Sequence, residues 1–182
     1  RFGWDPANDT LAGPLVDRGD RRPWIAVHAN TETAQHYGYV KDWPADAWRR
    51  LFREMARRHD VRFVLLGHGR EPAFDEPNVV DLRGRTGFLA MLALVRTRCT
   101  ALVAPDGGIL NAVYFLDAEF PITVVSLWSD PRQGLLKARS RSPNPGLVHV
   151  PLVGAGHDVR GIAPTDVLAA LEIAIVPREG RA

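Results

Sequence analysis

Three short stretches of this 182-residue chain gather residue types that could handle a phosphorylated ligand. The first is APDGGILN, residues 104–111, where an apolar run ends, Asp106 follows, and Gly107 and Gly108 open a second apolar run. Glycines at such a junction let a ligand approach the backbone closely. A helix start there presents unpaired N–H groups and a positive dipole end, which suit phosphate. The same residues admit a purely structural reading, with Asp106 capping a helix and the glycines making a tight turn. The dinucleotide fingerprint is not met, because its third glycine is missing at the required spacing.

The second stretch is VKDWP, with Lys41 just before the helix that Pro44 is placed to begin. An ammonium there could neutralise a diphosphate as a point charge; a solvated surface lysine is the structural alternative. Thr31 and Thr33, in the preceding loop, could add hydroxyl donors or serve only as turn formers. The third stretch is GHGRE, residues 67–71, where Glu71 could accept from ribose hydroxyls as an acid does in other doubly wound sheets. A solvated loop glutamate is again the alternative. His68 has no His, Cys or carboxylate near it at metal-ligand spacing, so no metal site is expected. The other histidines, at 28, 36, 59, 149 and 157, are scattered and suggest no nucleophile–His–acid set.

What must position these residues is an alternation of apolar strands and amphipathic helices. Strands are expected at 24–29, 61–66, 79–82, 100–104, 122–127 and 147–150. Helices are expected from Pro44, where Trp48, Leu51, Phe52 and Met55 recur at helical spacing, from Thr86 as a cap through Leu89, Leu92 and Val95, at 109–116, and at 164–175. This alternation predicts an α/β fold, a Rossmann-like doubly wound and mainly parallel sheet covered on both faces. Ligands of such sheets bind outside the carboxyl ends of the strands at a topological switch point. That rule selects the loops at 30–43, 67–77 and 105–108. Residues 1–22 read as linker or irregular lead-in, 23–178 as one domain, and the Pro/Ser/Arg-rich loop 129–145 as mobile.

Composition narrows the class. The chain carries a net charge of +2 with its charges mixed along the sequence, and Lys41 and Lys137 are its only lysines. No basic block marks a nucleic-acid surface, so no nucleic-acid partner is expected. The single cysteine, Cys99, excludes an internal disulfide. No run approaches the ~20 apolar residues of a membrane span, and no signal peptide is visible. A cytoplasmic fragment is expected, with residues missing before Arg1.

Taken in order, IAVHAN, K-x-W-P opening a helix, FVLLGHGRE, VVDLRGRTGFLAMLALV, LVAPDGGILNAVYFL and ITVVSLWSDP resemble the C-terminal domain of glycosyltransferase family 9, the ADP-heptose–lipopolysaccharide heptosyltransferases. The likeness covers residues 23–131. It implies one Rossmann-like half of a two-domain GT-B enzyme and an inverting, metal-independent transfer from a nucleotide sugar, ADP-heptose, in lipopolysaccharide or related glycan synthesis in bacteria. It implies that Lys41 contacts the donor diphosphate and sugar, that Thr31 and Thr33 lie near the phosphate loop, and that Glu71 lies near the ribose. Arg85 or Thr86 would lie near the adenine, and Asp106, Gly107 and Gly108 would match the family's D-[TS]-G turn. An Asp beside a diphosphate repels it, so Asp106 is assigned to sugar hydroxyls or to orienting Lys41. Asn111 stands where the family usually has His, and the loop at 30–40 is longer than in the family.

No cofactor is expected beyond the donor substrate itself. The family's catalytic base is an Asp of the N-terminal acceptor domain, so this chain alone is expected to bind donor without turnover. A membrane-lipid acceptor would bring the complete protein to the inner face of the cytoplasmic membrane. Three other readings stand beside this one: a degenerate, non-catalytic nucleotide-sugar-binding or assembly module, a sugar-nucleotide epimerase, and a nicotinamide-dependent oxidoreductase. The last two lack the acid–base pair and the glycine fingerprint they would need.

Overall fold

A computed structural model describes residues 2–15, 17, 19–31 and 40–175. Strand β1 (Phe2–Gly3) and a 3-10 helix (Pro6–Leu15) precede β2 (Trp24–Val27), α1 (Ala45–Arg58), β3 (Arg62–Leu65) and β4 (Val79–Asp81). Then follow α2 (Phe88–Arg98), β5 (Cys99–Pro105), α3 (Gly108–Tyr114), β6 (Leu116–Asp117) and β7 (Ile122–Trp128). The chain continues through α4 (Gly134–Ala138), β8 (Leu147–Val153) and α5 (Pro164–Ile175).

Six strands form one parallel sheet in the order β4-β3-β2-β5-β7-β8, and β1 pairs separately with β6. From β2 the chain steps outward through β3 and β4, returns to β5 on the other side of β2, and steps outward through β7 and β8. This is the dinucleotide-fold strand order, and the direction reverses between β2 and β5. The carboxyl ends of those two strands, joined where the His28 N–H donates to the Val103 carbonyl at 3.0 Å, define the switch crevice.

Strand periodicity sorts the core. Ile25, Val27, Ala101, Val103, Val125 and Leu127 face one layer, built from α1 and α5, while Trp24, Ala26, Leu102, Ala104 and Val124 face the layer of α2 and α3. The stripe read from α1 is real: Trp48, Leu51, Phe52 and Met55 are all fully buried. Burying each of these stabilises by roughly 1.5–3 kcal/mol. Their rings continue an aromatic cluster in which Trp43 meets Trp48 edge-on at 4.8 Å and Phe52 meets Phe63 at 4.7 Å.

The expected α/β fold with a Rossmann-like parallel sheet is what the chain adopts, and several local expectations differ. The N-terminal stretch read as lead-in carries the 3-10 helix, buries Ala12, and is pinned by Asp9, which accepts from Trp4 Nε1 at 2.9 Å and pairs with Arg96. Thr86 does not cap α2: Gly87 occupies the N-cap, with no side-chain cap, and Thr86 is buried beside it. The loop read as mobile contains α4 and is anchored by Asn144, whose amide exchanges two hydrogen bonds with the Phe120 backbone. Strand β8 extends three residues beyond its expected end. Among the described residues no helix is long and apolar enough to cross a membrane.

Candidate functional site

Two loops meet at the switch crevice. The one after β2 brings His28, Asn30 and Thr31; the one after β5 brings Asp106, Gly107 and Gly108. The segment just before α1 adds Lys41, held in place by its neighbours. Trp43 is buried and donates from Nε1 to the Ile162 carbonyl at 3.0 Å, and the Ser129 hydroxyl bonds the Val40 carbonyl while accepting from the Val159 N–H. The indole that makes K-x-W-P recognisable is thus the anchor that sets Lys41 against the sheet edge.

Lys41 Nζ lies 3.4 Å from Asp106 Oδ2, and the two side chains are 8% and 16% exposed. Asp42, one residue on, turns the other way: its Oδ1 accepts from the Thr31 N–H at 2.7 Å and from the Thr31 hydroxyl at 2.8 Å. The Thr31 hydroxyl proton is therefore committed to Asp42, so this residue shapes the loop and offers a ligand a methyl wall. Thr33 lies outside the described residues.

A cavity of about 250 Å³ opens at the crevice. It is lined by His28, Thr31, Gly107 and Gly108, by Gly67, His68 and Gly69, and by the apolar Phe88, Met91 and Ile109. A mostly apolar lining with a few polar groups is the composition of a small-molecule site. Gly107 is extended, at φ −175°, and a Cβ there would stand 3.3 Å from Thr31 Cγ2 and 3.8 Å from His28 Cε1. Its lack of a side chain keeps the cavity open. The N–H groups of Gly108 and Ile109 begin α3 and have no acceptor within the helix.

His28 is the site residue that sequence reasoning passed over. Burial pushes its imidazole down to about 4, against a raising influence from Asp42 and a further lowering one from His68, so it is neutral at pH 7. Its Nδ1 is buried with no hydrogen-bond partner. The only signal available was position, a histidine closing the strand that borders the switch.

A second cavity of about 690 Å³ lies beyond Asn30 and Thr31, lined by Asp42, Trp43, Pro44 and Glu71. Glu71 is exposed and shares this second cavity with Thr31. Arg85 is exposed and Thr86 is buried with Oγ1 unpartnered; neither lines the first cavity, whose wall from this region is Phe88 and Met91 instead. Asn111 donates from Nδ2 to the Gly107 carbonyl at 2.9 Å and lines neither cavity. Among the described residues no group of three or more His, Cys, Asp or Glu is placed to hold a metal ion.

No protein-family model matches the sequence, and no curated protein does. Solved structures do match. E. coli ADP-heptose LPS heptosyltransferase II is similar with a TM-score of 0.67 and 18% identity, over 97% of this chain and 54% of that one. E. coli heptosyltransferase WaaC with ADP is similar with a TM-score of 0.57 and 16% identity, over 84% of this chain and 44% of that one. The chain spans about half the length of these structures. The likeness establishes the fold expected from the sequence, a Rossmann-like α/β domain shared with these two structures.

Proposed function

We propose that this chain is the donor-binding half of an inverting glycosyltransferase that uses a nucleotide sugar. One observation carries the reading: Lys41, remote in sequence, lies 3.4 Å from Asp106, the residue before the Gly107–Gly108 turn that lines the crevice, in a fold shared with two heptosyltransferases. ADP in one of those structures and ADP-heptose in the name of the other make ADP-heptose the first donor to consider.

In the proposed reaction an acceptor oxygen attacks the anomeric carbon as the sugar–phosphate bond breaks and the nucleoside diphosphate leaves. The barrier falls when negative charge growing on the departing diphosphate meets fixed donors. Lys41 and the first amides of α3 supply them. Asp106 holds the ammonium in position and keeps its carboxylate for sugar hydroxyls rather than phosphate. The proton lost by the acceptor goes to a base on the acceptor side, which a partner half would supply, so the chain alone binds donor without transferring its sugar. A lipid acceptor would bring the complete protein to a membrane surface.

Calorimetric titration with ADP, UDP, GDP and NAD tests the reading. Preference for ADP supports it, preference for UDP or GDP keeps the glycosyltransferase and discards ADP-heptose, and preference for NAD or no binding overturns it. A non-catalytic nucleotide-sugar-binding module is the second reading. It is favoured by Asn111, an uncharged amide turned onto its own helix where the resembling family carries His.

A further inference from the structure

The unabsorbed feature of the crevice is His28. Its ring is wedged between two glycines from different loops. A Cβ on Gly67 would stand 3.0 Å from His28 Cδ2 and 3.2 Å from Nε2, and one on Gly107 would stand 3.8 Å from Cε1. Both loops thus leave out a side chain where the imidazole edge faces the cavity that His28 lines.

The two ring nitrogens have different surroundings. Nδ1 is buried and unpartnered, so a proton placed there would be an orphaned donor, costly to bury. A neutral imidazole carries one N–H, and the less costly tautomer places it on Nε2, the nitrogen beside Gly67. We infer that His28 is a diphosphate-binding residue, a neutral donor whose Nε2–H bonds a phosphate oxygen of the nucleotide in the crevice next to the Gly107–Gly108 turn. The inference rests on the donor-site reading above and adds a residue to it. A neutral N–H offers phosphate a bond without burying a cation.

Calorimetry with ADP and adenosine on the wild type, His28→Phe and His28→Gln tests it. His28→Phe is expected to weaken ADP about tenfold while adenosine binding stays within about twofold, and His28→Gln, which returns an N–H near Nε2, to recover most of the loss. ADP binding unchanged in His28→Phe, or ADP and adenosine weakened alike, overturns the inference while leaving the donor site standing. A wild type that binds neither ligand removes the donor reading and this inference with it. Should His28→Phe not fold, 15N spectra of the wild-type ring decide: the neutral Nε2–H tautomer supports the assignment, and an Nδ1–H tautomer contradicts it.

Discussion

Lys41 and Asp106, 65 residues apart in sequence, place Nζ and Oδ2 3.4 Å from each other at the junction of β2, β5 and the approach to α1. The pair explains how a carboxylate can stand in a site read as binding phosphate: it fixes the direction of the ammonium. Lys41→Ala is expected to weaken ADP by roughly 10–100-fold, the scale of a charge-assisted contact. Asp106→Asn keeps an oxygen for the ammonium and removes a repulsive charge, so its ADP affinity should stay within about threefold of wild type. Calorimetry on the two single variants checks both; equal losses would show that Asp106 contacts the ligand directly.

Two of the crevice glycines, Gly67 and Gly107, should answer differently to alanine. Gly67 has φ +122°, a conformation that strains any other residue, and its added Cβ would press on the His28 ring. Gly67→Ala is expected to cost about 1–3 kcal/mol. Gly107 is extended, and a methyl there has one tight contact, Thr31 Cγ2 at 3.3 Å, so Gly107→Ala should lose little stability and show its effect in nucleotide affinity. Urea denaturation separates the two; equal destabilisation would count against this account of the loops.

Stability should fall on mild acidification. Burial holds His28 near 4 against its ordinary 6.5, so between those values the unfolded chain binds a proton that the folded chain refuses. Its contribution is therefore complete above about pH 6.5, shrinks as pH falls, and is gone near pH 4, a loss on the order of 3 kcal/mol. Burial moves His149 in the same direction. Comparing urea midpoints at pH 7.5 and pH 5 should show the wild type losing more than His28→Gln, with His149 leaving a residual slope in the variant. Identical losses would mean that His28 is not held neutral by the fold.

Trp43 links core to site. Trp43→Phe keeps the aromatic packing but forfeits the 3.0 Å bond to the Ile162 carbonyl, costing about 1 kcal/mol, whereas Trp43→Ala should cost about 3–5 kcal/mol. Thermal unfolding ranks them, and an alanine variant as stable as the phenylalanine one would refute the anchoring role.

The sheet was legible because parallel strands buried on both faces leave uninterrupted apolar runs, and α1 because its stripe repeats at helical spacing. Lys41 and Asp106 were linked through the family resemblance, which left Asp106 either to sugar hydroxyls or to orienting Lys41. His28 was not legible: a histidine ending an apolar strand looks like any half-buried residue until strand order shows that β2 borders the switch. The fate of the Thr31 hydroxyl was equally hidden, because its acceptor, Asp42, lies across a loop whose closure no spacing rule describes. The N-terminal 3-10 helix carries no apolar period, being fastened by Asp9 to Trp4 and Arg96 rather than by a stripe of its own.

A nucleoside diphosphate is proposed to bind at the carboxyl ends of β2 and β5. Titrating 15N-labelled protein with ADP while following backbone amides tests it most directly. Saturable shifts, largest at His28, Gly67, Gly107 and Gly108, are expected. Shifts centred on the opposite end of the sheet, around Arg57 to Asp60, or none at all, would contradict it.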